Sequence, residues 1–306
     1  EKEGVNTNSA PCDHKKKTTI HKMEETIRDL SNQNETETKS PHKITQPQLS
    51  TYKLHHRYTV GEGTAEVFVV KFDNEDKLLA AGCGDGSIKI YNAYLGKTTH
   101  VLLHNHYSSE TRMPCTGIMW RPPGASAKTK NVLIASYSDG SLCHWHATSG
   151  KCLHTIHEET NQIYCVDYAR DGQSFATAGK DRTVRVYDEA TKQVKAEMTR
   201  GNANNPGHSN RIFSVKFHPQ DSNVVFSGGW DDTIQIFDVR EEGPVRSFFG
   251  PHMCGDSMDI FEDTVLCGSW RPKDQLELFD FGSGQKIQSI EWTSGSIYSN
   301  SECYIY

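Results

Sequence analysis

From Thr51 onward the apolar residues come in short runs or alternate with polar ones, and each run breaks at a cluster of Gly, Asp or Asn. Alternation with period two marks a half-buried strand, because successive side chains leave a strand on opposite faces, while Gly, Asp and Asn tolerate the backbone angles of tight turns. One unit recurs: an apolar strand with two small residues, a tight Asp/Gly turn, then an alternating strand ending in an aromatic. It reads LAAGCGDGSIKIYN at Leu79–Asn92, LIASYSDGSLCHWH at Leu133–His146, FATAGKDRTVRVYD at Phe175–Asp188 and VFSGGWDDTIQIFD at Val225–Asp238. A fifth copy, VLCGSWRPKDQLELFD at Val265–Asp280, has two extra residues in its turn.

The closing aromatics, Tyr91, Trp145, Tyr187, Phe237 and Phe279, lie 54, 42, 50 and 42 residues apart. These spacings bracket the ~40–45 residue period of a four-stranded propeller blade, with loop insertions in the longer units. A strand candidate at Tyr52–Val60 precedes the five sets, and another at Ser296–Tyr306 follows them. Surplus strands at both ends, and a start at Glu1 without Met, predict a stretch of a longer ring that continues for one or two blades, roughly 40–90 residues.

Residues 1–50 differ in texture, being rich in Lys, Glu, Thr, Asn, Gln and Ser with few aromatics. Such a segment buries too little apolar surface to offset its chain entropy, so it is expected to be a disordered arm. Within it Ile20, Met23, Ile27 and Leu30 would line one face of a short helix from Thr19 to Asn32, marginal in water unless a partner orders it.

The fourth unit carries more than the period. Gly207-His208 opens it, Ile212, Val215, Phe217 and His218-Pro219 follow, and Phe237-Asp238 closes it. This frame resembles the Gly-His to Trp-Asp repeat of the WD40 family, over roughly Tyr52 to Tyr306. The resemblance implies an all-β fold, a WD40-type β-propeller of five full blades plus part of a sixth at 51–306, with the disordered arm at 1–50 before it. It also implies a network in which a turn Asp, a His, a Ser or Thr and a Trp tie the strands of each blade together. Carried onto this chain, the turn residues are Asp85, Asp139, Asp181 and Asp231, and the fourth unit adds His208 and Ser227. Phe237 stands where Trp is usual, and it has no N–H to donate, so the network there is shorter. The third unit keeps Thr177 and Asp181 with Glu159 at the His position, and the second keeps Trp145 and Asp139 with Thr111 there. All are read as structural, with no catalytic role.

Composition narrows the function. A formal net charge of -6 disfavours nucleic acid, which selects basic surfaces, and no apolar run approaches the ~18 residues of a membrane span. Nine cysteines, an odd number with no C-x-x-C pair, are expected to be reduced and structural, as in a cytoplasmic protein, with a nuclear or ciliary site also open. His104 and His106, like His144 and His146, sit two apart, but no acidic or thiol ligand of recognisable spacing accompanies them, so no metal is expected. His144 falls in the slot of Ile90, Val186 and Ile236 and is expected to be a hydrogen-bonded interior histidine. Gly82–Gly86 lies between strands and opens no helix, and no Gly-x-Ser-x-Gly elbow is present, so neither cofactor nor enzyme activity is expected.

The resemblance therefore implies a non-enzymatic scaffold binding other proteins or peptide motifs through its top face. By family register that face carries Phe68, Tyr164, Lys180, Arg211, Phe213, Trp230 and Trp270, a set rich in the aromatic and Arg side chains that dominate hot spots. Two alternatives share the fold. One is the substrate receptor of a cullin-type ubiquitin ligase, since Phe237-Asp238-Val239-Arg240 resembles an adaptor-docking box. The other is a ciliary or cytoskeletal assembly module.

Overall fold

A computed structural model of the chain describes residues 65–290, apart from 104–111, 125–128, 200, 202–205 and 242, together with His56 and 59–61. The chain divides into two compact units, Glu1–Arg57 and Tyr58–Tyr306, and the described strands belong to the second. The expected arm, its Thr19–Asn32 helix and the Ser296–Tyr306 strand lie outside the described residues, except for His56 just past the arm. Of Tyr52–Val60 only His56, Thr59 and Val60 are described, none of them in a strand.

Each recurring unit supplies the second and third strands of a four-stranded antiparallel meander. The first sheet holds Val67–Phe72 (β1), Leu78–Cys83 (β2), Ile88–Asn92 (β3) and Lys97–Leu102 (β4). The second holds Cys115–Trp120 (β5), Val132–Tyr137 (β6), Ser141–His146 (β7) and Lys151–His157 (β8). The third holds Ile163–Tyr168 (β9), Ser174–Gly179 (β10), Val184–Asp188 (β11) and Val194–Met198 (β12). The fourth holds Ile212–Phe217 (β13), Val224–Gly229 (β14), Thr233–Asp238 (β15) and Pro244–Phe249 (β16). The fifth holds Met258–Phe261 (β17), Thr264–Gly268 (β18), Leu276–Asp280 (β19) and Lys286–Ile290 (β20). The first strands β1, β5, β9, β13 and β17 touch one another in chain order, so these are successive blades with the first strand innermost.

Among the described residues the core is not one cluster but four, one between each pair of neighbouring sheets. Ala80, Ile88 and Ile90 meet Ile118, Leu133 and Trp145, and Ile134 and Leu142 meet Val166, Phe175 and Tyr187. Ala176, Val184 and Val186 meet Val215, Val225 and Phe237, and Phe226, Ile234 and Ile236 meet Met258, Val265 and Phe279. Hence each closing aromatic after the first is a wedge driven against the preceding blade. Sandwiching also explains the strands without alternation: β6 is buried at every position because both of its faces are covered. The outermost strand β8 shows the reverse, with six of its seven residues exposed. β1 departs from its counterparts. Val67 and Phe72 are 58% and 57% exposed where Cys115 and Trp120 of β5 are buried, since no described sheet precedes β1.

In the first four blades the turns between second and third strands share one geometry. Each turn Asp accepts a backbone N–H from the residue two ahead: Ser87 to Asp85, Ser141 to Asp139, Thr183 to Asp181 and Thr233 to Asp231. The residue after the Asp is left-handed, Gly86 (φ 77°), Gly140 (φ 87°), Arg182 (φ 68°) and Asp232 (φ 57°), a region that glycine enters freely and Asp tolerates.

Candidate functional site

The network of the fourth blade forms as its residues imply. His208 Nδ1 pairs with Asp231 Oδ2 at 2.8 Å and Nε2 with Ser227 Oγ at 2.7 Å, and the Phe237 ring lies 6.4 Å from the imidazole. Burial opposes the charge of Asp231, but His208 outweighs it and holds the carboxyl below its usual range. This Ser–His–Asp relay resembles a hydrolase triad in order, yet Ser227 is fully buried, so no substrate carbonyl can approach its Oγ. It fastens the strand to the turn.

In the third blade the residue at the His position is Glu158, not Glu159. Glu158 is buried and accepts from Thr177 Oγ1, from Tyr187 OH (2.9 Å), from Asn161 Nδ2 (2.6 Å) and from Arg185 Nη1 (3.1 Å). Glu159 is exposed. The register slips by one because Gly140 and the Glu158–Asn161 turn interlock: Glu158 N donates to Gly140 O, and a Cβ on Gly140 would sit 2.3 Å from Glu158 O. Thr111, assigned the same position in the second blade, is outside the described residues. His144 is an interior histidine: it is buried, with Nε2 3.2 Å from Glu189 Oε2. Glu189 also receives Tyr168 OH (3.0 Å), Arg121 (3.3 Å) and Lys192 (2.6 Å). Its burial works against ionisation, but His144 and Lys192 overcome that and hold it at about 2.

The face bearing the turns gathers several of the residues singled out from sequence. Tyr164 and Phe213, at equivalent places on β9 and β13, stack at 4.8 Å with planes 2° apart. Phe213 reaches Trp230 at 5.1 Å, and Trp230 stacks on His252 at 6.2 Å. The Arg211 guanidinium lies 5.3 Å from the Trp230 ring, and Trp230 Nε1 donates to Cys254 Sγ at 3.2 Å. The result is a continuous ladder of four rings and a guanidinium across the third and fourth blades. Tyr164 OH is fixed by Gln162 Oε1 at 2.7 Å, and Lys180 is tied to the same residue through its backbone N–H. Phe68 stands apart on β1, 54% exposed. Trp270, 53% exposed, hydrogen-bonds His252 O through its backbone and adds no ring to the ladder.

Beside the ladder opens a cavity of about 420 Å³ lined by all five innermost regions, among them Phe68, Thr116, Tyr164, Phe213 and Asp256. Asp256 carries its charge centre. It meets Lys71 of β1 at 3.1 Å, Lys216 of β13 at 2.9 Å and Ser214 Oγ at 3.2 Å. Burial opposes its ionisation, but Lys216 and Lys71 outweigh that and keep the pKa low. Nearby Asp167 accepts the Phe217 N–H at 2.8 Å, and burial pushes it up to about 6 despite Lys216. His252, Cys254 and Asp256 were not singled out from sequence, because they sit in the irregular segment between β16 and β17, where no periodic pattern marks a side-chain direction. Arg240, of the suspected docking box, is exposed at its strand end and forks onto Asp238 through Nε at 2.8 Å and Nη2 at 2.5 Å.

The profile of the family described as WD domain, G-beta repeat, matches residues 49–92, 150–188 and 202–238. The matched stretches end at the closing strands of the first, third and fourth blades, including the blade with the intact His208 relay. The chain carries WD40 repeats. WD40 repeats serve generally as protein-interaction scaffolds, and none of the relatives named here bears the name of an enzyme. Eukaryotic translation initiation factor 3 subunit I of Bombyx mori is 29% identical over 141 residues, which is 39% of this chain and 39% of that protein. The peroxisomal targeting signal 2 receptor of Schizosaccharomyces pombe is 23% identical over 233 residues, 76% of this chain and 64% of the receptor. The chain thus spans less than two thirds of either relative. Among solved structures, a chain of the mitotic checkpoint complex superposes with a TM-score of 0.60 at 17% identity, over 74% of this WD40 chain and 67% of that one, a likeness of fold.

Proposed function

We propose that this WD40 chain is a non-enzymatic scaffold that binds a peptide or loop carrying apolar and acidic groups on the face of the aromatic ladder. The observation that carries this reading is the Tyr164–Phe213–Trp230–His252 stack, crossed by Arg211 and opening onto the 420 Å³ cavity. Stacked rings are held in place before binding, so contact with them costs little side-chain entropy, and the guanidinium supplies the charge that selects a carboxylate. Phe68 and Trp270, the more exposed aromatics, would extend the contact to either side, with Lys180 as a second cation.

The test compares proteins captured from a lysate by the full chain with those captured by Phe213→Ala, Trp230→Ala and the double variant. Each single truncation should cost on the order of 2 kcal/mol, about thirtyfold in affinity, if these are hot spots. A correctly folded double variant that recovers the same partners in the same amounts places the binding surface elsewhere on the blades.

A further inference from the structure

The seven described cysteines are all thiols, and most are buried in the sheets. One pair differs. Cys143 lies in β7 and is fully buried, while Cys152 lies in the neighbouring outermost strand β8 and is exposed. The ladder between these strands slips at His144/Trp145, so that Cys152 comes opposite Trp145 while Cys143 faces Thr155. Cys143 and Cys152 therefore sit on one face of the sheet as diagonal neighbours. Both sulfurs gather on one hydroxyl: Thr155 Oγ1 is 3.8 Å from Cys143 Sγ and 3.5 Å from Cys152 Sγ. The neighbouring Cys152 thiol, followed by burial, pushes Cys143 well above the usual thiol range.

We propose that Cys143 and Cys152 are a reversible thiol–disulfide pair at the rim of the second blade, oxidised by hydrogen peroxide. The two members have distinct roles. Cys152 meets the oxidant, because it is the exposed one, and Cys143 resolves it, because it is the neighbouring thiol on the same sheet face and can ionise once β8 moves off it. In the first step Cys152 sulfur attacks a peroxide oxygen, the O–O bond breaks, and Cys152 becomes a sulfenic acid as water leaves. In the second, Cys143 sulfur attacks that sulfenic sulfur, the S–S bond forms, and the hydroxyl departs with the Cys143 proton as a second water. The two thiols lose two electrons and two protons in all, and the peroxide is reduced to two waters. Closing the sulfurs to bonding distance requires β8 to move, which is feasible for an outermost strand paired on one edge only. The link would pin β8, a wall of the open rim groove that also holds His154, His157, Arg185 and Glu197.

The pair is tested on the full chain, reduced and desalted, treated with hydrogen peroxide, then denatured, alkylated and digested without reduction. Trypsin cuts after Lys151, which places Cys143 on peptide 131–151 and Cys152 on peptide 152–170 with the buried Cys165. The expected result is a cross-linked species joining the two peptides, two hydrogens lighter than their sum and dissolved by dithiothreitol, with fragmentation assigning the bond to Cys152 rather than Cys165. Alkylation of Cys143 and Cys152 should fall in parallel, and Cys152→Ser should restore full alkylation of Cys143. Because Cys143→Ala leaves a void that risks misfolding, trapping of the Cys152 sulfenic acid by dimedone in the unmutated chain gives an independent measure, rising early and decaying as the cross-link grows. Progress of Cys152 to sulfinic acid while Cys143 alkylates fully, or a cross-link to any other cysteine, overturns the proposal.

Discussion

Replacing Glu158 tests the rebuilt network of the third blade more sharply than any other change. The carboxylate accepts from Thr177, Tyr187, Asn161 and Arg185, and the first three of these donors are themselves buried. In Glu158→Ala, Arg185 keeps Asp181 at 2.7 Å and Glu197 at 2.7 Å, so its charge is not stranded. The cost then falls on the Tyr187 hydroxyl, the Thr177 hydroxyl and the Asn161 amide, at roughly 1 kcal/mol or more each for a buried donor left without an acceptor. The sum is about 3–4 kcal/mol, before any relaxation that lets water in. Glu158→Gln keeps the volume and one acceptor oxygen but turns an NH₂ toward the remaining donors, so it should fall between, near 2 kcal/mol. Urea unfolding followed by circular dichroism reads this directly. With a slope of about 3 kcal/mol per M, Glu158→Ala should lower the midpoint by about 1 M. Glu159→Ala, at the exposed neighbour that the repeat register points to, should change stability by no more than about 0.5 kcal/mol. If Glu159→Ala costs as much as Glu158→Ala, or if Glu158→Ala costs under about 1 kcal/mol, the account of this blade is wrong.

Three further outcomes follow from the same geometry. Burial raises Asp167 to about 6. The native state therefore holds that proton more tightly than the unfolded chain does, and its contribution is present below about pH 4 and lost as pH rises through 6. Asp167→Asn should gain up to roughly 3 kcal/mol at pH 8 and nothing at pH 4, and a denaturant series across pH that shows an equal effect at both ends refutes it. Gly140→Ala introduces a Cβ 2.3 Å from Glu158 O at a φ of 87°, and should destabilise by at least about 2 kcal/mol, seen as a lower thermal midpoint. Ser227, despite its His208–Asp231 relay, should remain unlabelled by a fluorophosphonate probe that modifies reactive serines, and covalent labelling of the folded chain at Ser227 would show the relay to be open to substrate.

The repeat was legible because burial between sheets writes itself into the order of residues. A strand pair covered on both faces needs an apolar run, small residues, a tight turn and a bulky end residue. Each of Leu79–Asn92, Leu133–His146, Phe175–Asp188 and Val225–Asp238 states that requirement locally. So do the turn Asp residues, which bond only two positions ahead, and the His208 relay, whose partners stand at fixed offsets within one blade. What sequence placed wrongly or passed over depends on contacts between segments. Glu158 replaced Glu159 because the loop before β9 is set by the approach of Glu158 to Gly140, a packing constraint with no period. The ladder of Tyr164, Phe213, Trp230 and His252 forms only when neighbouring blades bring residues tens of positions apart into register. Its last ring, like Asp256 between Lys71 and Lys216, comes from a loop whose side chains point where the surrounding strands leave room. The chain alone decided which strands form and where they turn, through local burial and backbone angles. The tertiary structure decided which side chains meet, because that rests on distances between blades that no local pattern encodes.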